Sequence, residues 1–132
     1  MNLLNATVSK IDTLDTLNIV EFKFYDITLS MMSLDLHNIS VGTKVVLTAK
    51  ASNIAIAKEF QGQISLANSI EGKIVTLDIG KLLTSIRIQH KHTVITSIIT
   101  SKSANRMNLK LGDIVNAIFK SSELSIKEVC ND

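Results

Sequence analysis

The chain repeats itself. With an offset of 70, residues 33–56 fall on 103–126, and seven of those 24 positions are identical. The identities are Ser33/Ser103, Asn38/Asn108, Gly42/Gly112, Val45/Val115, Lys50/Lys120, Ser52/Ser122 and Ile56/Ile126. With an offset of 66 the front parts match more weakly, through Asn2/Asn68, Asp12/Asp78 and Leu17/Leu83. The difference of four residues reads as one loop insertion near Lys91–Val94. A repeat of this length means two copies of one small unit. The expected division is a first domain at 1–58, a connector at 59–67 and a second domain at 68–132. Each unit alone would bury a marginal core, so mutual packing or oligomerisation is expected to supply the remainder.

Inside each unit the hydrophobic period is two. Val20, Phe22 and Phe24 alternate with Glu21 and Lys23, and Ile86 and Ile88 alternate with Arg87 and Gln89. Val45–Leu47 and Ile114–Phe119 are short apolar runs, and Asn53–Ile56 and Glu123–Ile126 alternate again. Enrichment in Ile, Val and Thr with no proline fits strands whose N–H groups sit in ladders. About five strands per unit are expected, with one short helix each, over Ser33–Asn38 and Ser103–Asn108, both opened by a serine cap. The fold class is therefore all-β: two tandem five-stranded barrels of the oligonucleotide/oligosaccharide-binding (OB) type, each with one short helix.

Composition excludes several functions. Fourteen basic and twelve acidic residues leave a net charge of +2, too small an excess for a dedicated nucleic-acid binder. Aromatics are 4%, which leaves few platforms for base stacking. The single cysteine, Cys130, rules out an intrachain disulfide and a cysteine-based zinc site. The N-terminus lacks the pattern of a signal peptide, and no apolar run approaches the ~20 residues of a membrane span. A cytoplasmic protein away from the membrane is expected.

No catalytic set stands out, so the chain is not read as an enzyme. There is no Gly-x-Ser-x-Gly elbow and no phosphate loop. His90 and His92 share one strand face as a possible metal pair, but no carboxylate or thiol nearby in sequence completes a site, and an exposed strand end is the plainer reading. What recurs is hydroxyls, one lysine and one helix start per unit. Thr100 and Ser103 lead into the second helix, and Ser30 and Ser33 into the first. Lys120-Ser121-Ser122 and Lys50-Ala51-Ser52 each add a cation beside small residues. Neutral donors, unpaired helix N–H groups and one cation suit a small tetrahedral oxyanion. Charge-assisted hydrogen bonds of about 1.5–3 kcal/mol each reach micromolar affinity in small number. The competing readings are that the serines only cap helices and the lysines are solvated strand ends.

The order Asn68–Gly72, Ile99–Ala104, Leu109–Val115 and Ile118–Ser122 resembles the Mop/TOBE domain of molybdate-binding proteins. A tandem of two such domains resembles the di-domain molbindins. The resemblance implies molybdate or tungstate held at interfaces between domains and subunits by hydrogen bonds, with no metal coordination from side chains, no organic cofactor, and a homo-oligomer, a trimer being favoured. It carries the anion-contacting roles onto Ser65, Ala67 and Asn68, onto Thr100 and Ser103, and onto Lys120, Ser121 and Ser122. The first-unit equivalents are Ser30, Ser33, Lys50, Ala51 and Ser52. Ala67 stands where the family has arginine. In the first unit only Asn2 remains of the Ser-x-Arg-Asn segment, and no DNA-binding domain is expected ahead of the first repeat.

The leading expectation is intracellular molybdenum storage and homeostasis. The alternative is a molybdate-sensing module acting on a transporter or DNA-binding partner. A single-stranded nucleic-acid binder on the same barrel comes third.

Overall fold

The computed structural model describes residues 2–36 and 38–130; Met1, His37, Asn131 and Asp132 lie outside them. Period-two sequence builds long antiparallel strands. In the first half these are β1 (Asn2–Leu14), β2 (Leu17–Phe24), β3 (Ile27–Ser33), β4 (Lys44–Ala49) and β5 (Ala55–Ala57). In the second they are β6 (Asn68–Ile79), β7 (Leu83–His90), β8 (Thr93–Thr100), β9 (Ile114–Phe119) and β10 (Ser125–Val129). Two five-stranded sheets result, mostly-β and OB-like as the periodicity implies.

Their strand orders are β10-β4-β1-β2-β3 and β5-β9-β6-β7-β8. The last strand of each half is thus exchanged. β10 pairs with β4 of the first half, through Ile126 opposite Leu47, and β5 pairs with β9 of the second, through Ile56 opposite Ala117. The apolar faces follow suit. Leu4, Val8, Phe22, Leu29 and Leu47 join Ile70, Ile86, Ile95, Val115 and Phe119 in one buried cluster through both halves. Sharing a core and trading edge strands compensates for the small size of each unit.

The repeat is visible in detail. Both long strands carry a register shift at the same place, between Val8 and Lys10 and between Ile74 and Thr76. Gly42 and Gly112 have φ of 98° and 87°, which glycine adopts without strain, and their N–H groups bond to Val8 and Ile74 at 2.8 and 2.9 Å.

The insertion is not where the sequence suggested. Asn18 pairs with Ser33 and Thr84 with Ile99, so the offset of 66 persists to the ends of β3 and β8. The turns Tyr25-Asp26 and Lys91-His92 are equal in length. The four extra residues fall after β8, in the α-helix α1 (Ser101–Arg106). Among the described residues this is the one α-helix. It begins two residues before the expected Ser103–Asn108 span, and its cap is Thr100, whose hydroxyl accepts from Ser103 N–H. The first half lacks those four residues. Ser33 closes β3 instead of capping a helix, and its hydroxyl donates to the Asp35 carbonyl at 2.6 Å. The first-unit helix expected over 33–38 is therefore absent from its described residues, His37 lying outside them.

Candidate functional site: junctions between the two halves

Each half ends its fourth long strand in a lysine followed by a 3-10 turn. Lys50 precedes the turn Ala51–Asn53, and Lys120 precedes Ser121–Glu123, both lysines in extended backbone. The turn reverses the chain so that the exchanged strand can cross to the other sheet. Its opening N–H groups have no partner inside the turn, and Lys50 and Lys120 are exposed beside them.

The turn of each half packs on the edge strand of the other. Ser121 Oγ donates to Ser30 Oγ of β3 at 3.1 Å. The first residue of β6, Asn68, is fully buried and bonds Ser30 twice. Its Oδ1 accepts from Ser30 N at 2.7 Å and its Nδ2 donates to Ser30 O at 3.0 Å. Asn68 also stands opposite Phe119, the residue before Lys120. The structure thus gathers Ser30, Asn68, Lys120 and Ser121 at one junction, drawn from both halves. At the mirrored junction Asn2 bonds Thr96 N and O at 2.7 and 2.9 Å, and Ala51 takes the place of Ser121.

A cavity of about 530 Å³ lies at the first turn. Lys50, Ala51 and Ser52 line it from one half, and Ser122, Glu123 and Ser125 from the other. Ile98 of β8 adds an apolar wall. Glu123, Ser125 and Ile98 were not singled out from sequence. Glu123 and Ser125 reach the cavity because the chain crosses into β10 there, and Ile98 because β8 is the edge strand against which the first turn packs, neither of which a local pattern signals.

The remaining expected residues lie apart. Ser65 and Ala67 are exposed in the connector just before β6. Thr100 and Ser103 form their own network: Thr100 Oγ1 donates to Ser103 Oγ at 3.1 Å, and Arg106 donates to the same oxygen at 3.4 Å. Among the described residues no hydrogen bond joins them to Lys120–Ser122. Because the offset of 66 holds through β8, Ser30 corresponds to Thr96 and not to Thr100, which corrects the equivalence drawn from the larger offset.

The histidine pair does not form a metal centre. His90 Nδ1 lies 2.6 Å from the Glu71 carbonyl, and a bond to a carbonyl requires this nitrogen to carry the proton. Its ring packs at 5.9 Å from Phe24 and 5.5 Å from Tyr25, burying Nε2 without a partner. His92 is exposed in the neighbouring turn. Among the described residues no group of three or more His, Cys, Asp or Glu is placed to hold a metal ion, and no helix is long and apolar enough to cross a membrane.

One carboxylate near the exchanged strand is electrostatically perturbed. Lys58, just past β5, donates to the Met107 and Asn108 carbonyls at 3.3 and 3.0 Å and stands 3.1 Å from Asp113. That bond, with a second from Lys110 N–H, holds the Asp113 carboxyl below its ordinary range.

Known proteins are similar to this chain in part of its sequence and in its fold. Residues 64–126 match the TOBE domain model. No curated protein sequence matches the chain. Among solved structures, the cytoplasmic molybdate-binding protein ModG, crystallised with molybdate bound, superposes with a TM-score of 0.90 at 21% identity, over 95% of this chain and 94% of that one. Over residues 64–126 the chain is thus similar to the TOBE domain, and it shares a two-sheet fold along nearly its whole length with ModG.

Proposed function

We propose that the chain binds a tetrahedral oxyanion of the molybdate or tungstate class by hydrogen bonds, as an intracellular store that buffers molybdenum. The observation that carries this reading is the Lys120–Ser121 turn meeting Ser30 beside Asn68 across the two halves. Its donors are hydroxyls, turn N–H groups and one lysine. These donors suit an anion and offer a bare cation little; the one carboxylate beside them, Glu123, closes the Lys120 turn and lines the cavity at the Lys50 turn. The Lys50–Ser52 turn supplies a second such set at the cavity. The fold shared with molybdate-bound ModG supports the ligand class. Nothing in the donor set splits or transfers a bond, so the role is binding and not catalysis, and the cellular location follows ModG, described as cytoplasmic.

The cavity at the first turn is open and far larger than the roughly 30 Å³ share of one water. A small oxyanion would be loosely held there by one chain alone. Closure by neighbouring subunits of a homo-oligomer, a trimer being favoured, completes such a site.

Isothermal titration of the full chain with molybdate, tungstate and sulfate tests the reading. Saturable binding of the first two, with sulfate excluded, is expected. No heat with molybdate or tungstate overturns it. Several anions per assembly mark storage, and one or two tightly held anions mark a sensor.

A further inference from the structure

We propose that Asn68 is a positioning residue for the anion site at the Lys120 turn, acting through Ser30 without touching the anion. The inference rests on the oxyanion-binding reading and assigns how one of its sites is held. β3 is the edge strand of the first sheet, so Ser30 lacks a strand neighbour on one side. The Asn68 side chain supplies that neighbour. Its carboxamide engages Ser30 N and O at 2.7 and 3.0 Å, as a peptide group would in an antiparallel rung. Asn68 is 0% exposed, so its amide is committed to this clasp and closed to solvent.

The clasp fixes the backbone of Ser30 and leaves its side chain to the other junction partner. Ser121 Oγ donates to Ser30 Oγ at 3.1 Å. A hydroxyl that accepts one hydrogen bond keeps its own proton to donate and becomes the stronger donor for it. Ser121 therefore primes Ser30, and Asn68 holds Ser30 where it can be primed. Both ends of this relay flank Lys120.

The repeat contains its own control. Asn2 makes the same clasp on Thr96, at 2.7 and 2.9 Å, adds a bond from its Nδ2 to the Ala49 carbonyl at 3.1 Å, and is 3% exposed. The turn there carries Ala51, so no hydroxyl relay follows. Removing either asparagine breaks a matched buried clasp, and only one removal disturbs a relay.

The test uses the full chain, with sodium molybdate titrated calorimetrically and thermal unfolding followed in parallel. Asn68→Ala and Asn2→Ala are both expected to lower the melting temperature, Asn2→Ala by at least as much because it also loses the bond to Ala49. Asn68→Ala is expected to weaken molybdate binding about tenfold relative to Asn2→Ala. Ser121→Ala should weaken it too, and the Asn68→Ala/Ser121→Ala double variant should lose no more than the worse single, because both act through one relay. Equal binding in the two asparagine variants, or additive losses in the double variant, overturns the proposal. Should Asn68→Ala not fold, Ser30→Ala carries the test, since the clasp uses only the Ser30 backbone. Weakened binding in that folded variant is expected, and unchanged binding overturns the proposal. A wild-type chain that takes up no molybdate overturns the functional reading itself, an outcome distinct from all of these.

Discussion

Lys58 Nζ lies 3.1 Å from Asp113 Oδ2, and this ion pair fastens the exchanged strand β5 to the loop ahead of β9. Both side chains are about a fifth exposed, at 22% and 23%. The carboxylate is stabilised first by the Lys58 bond and then by the Lys110 N–H. Its folded-state pKa is thus lower than its unfolded value. The stability this gives is present above the unfolded value and is lost as pH falls through the folded one. Asp113→Asn should therefore be less stable than wild type at neutral pH, and the gap should close below about pH 4. Urea midpoints for both proteins at neutral and acid pH check this, and a gap constant with pH would refute it.

Gly72 offers a packing test. A Cβ there would meet Ile88 Cγ2 and stand 2.8 Å from the Gln89 carbonyl oxygen. The first-half counterpart at the offset of 66 is Ala6, so the two halves differ in how closely the neighbouring strand approaches. Gly72→Ala must push backbone as well as side chain, and should cost about 1–3 kcal/mol. Thermal or chemical unfolding reads the loss, and a neutral result would mean that β7 yields freely.

The crossing of β10 makes an asymmetric prediction. Ile126 and Val129 pack from β10 onto the core beside β4. A chain ending at Leu124 loses both contacts and the ladder on one edge of the first sheet. A cost of about 2–3 kcal/mol is expected from the half-buried side chains. Hydrogen exchange should quicken first in β4, although the deletion lies at the end of the second half. Quickening confined to β9 would contradict the exchanged pairing.

Much of this fold was legible. Alternation at Val20–Phe24 and Ile86–Ile88 gave the strands, and the identity Gly42/Gly112 belonged to the repeat, although the positive φ of both was visible only in the structure. The exchange was not legible, because a period of two says which face of a strand is buried and not which strand lies beside it. The insertion was misplaced for a related reason. Identity at Ser33/Ser103 outweighed the equal spacing of β3 and β8, where Leu29 and Ile95 are both 0% exposed and share the offset of 66. Following that buried alternation would have placed the extra residues in α1. At the site, Lys120 and Ser121 were visible in sequence. Their partnership with Ser30 was not, since it depends on where the edge of the other sheet falls.

Assembly is the next expectation. Leu82 is 77% exposed, Leu14 75%, Leu34 69%, and Val41 and Leu111 65% each. That is much apolar surface for a chain of 132 residues, present in both halves, with Val41 and Leu111 at equivalent places. Closed homo-oligomers cover such surfaces with repeated contacts. Light scattering at micromolar concentration should report an oligomer, a trimer first among them, and a stable monomer there would count decisively against it.

The ranking of the two lysines follows from the junctions. Lys120 precedes Ser121, whose hydroxyl is already directed onto Ser30, and Ser30 is fixed by Asn68. Lys50 precedes Ala51 and faces the open cavity with Ser52. An anion at Lys120 meets donors already in place, whereas one at Lys50 must order its surroundings and so gives up more entropy. Lys120→Ala should weaken molybdate binding by about 1.5–3 kcal/mol, roughly ten- to a hundredfold. Lys50→Ala should cost less. Both lysines are exposed, so both variants should keep the wild-type melting temperature. Calorimetric titration of the two variants decides the order. Equal losses, or a larger loss at Lys50, would show that the cavity and what closes it outweigh the donors already arranged around Lys120.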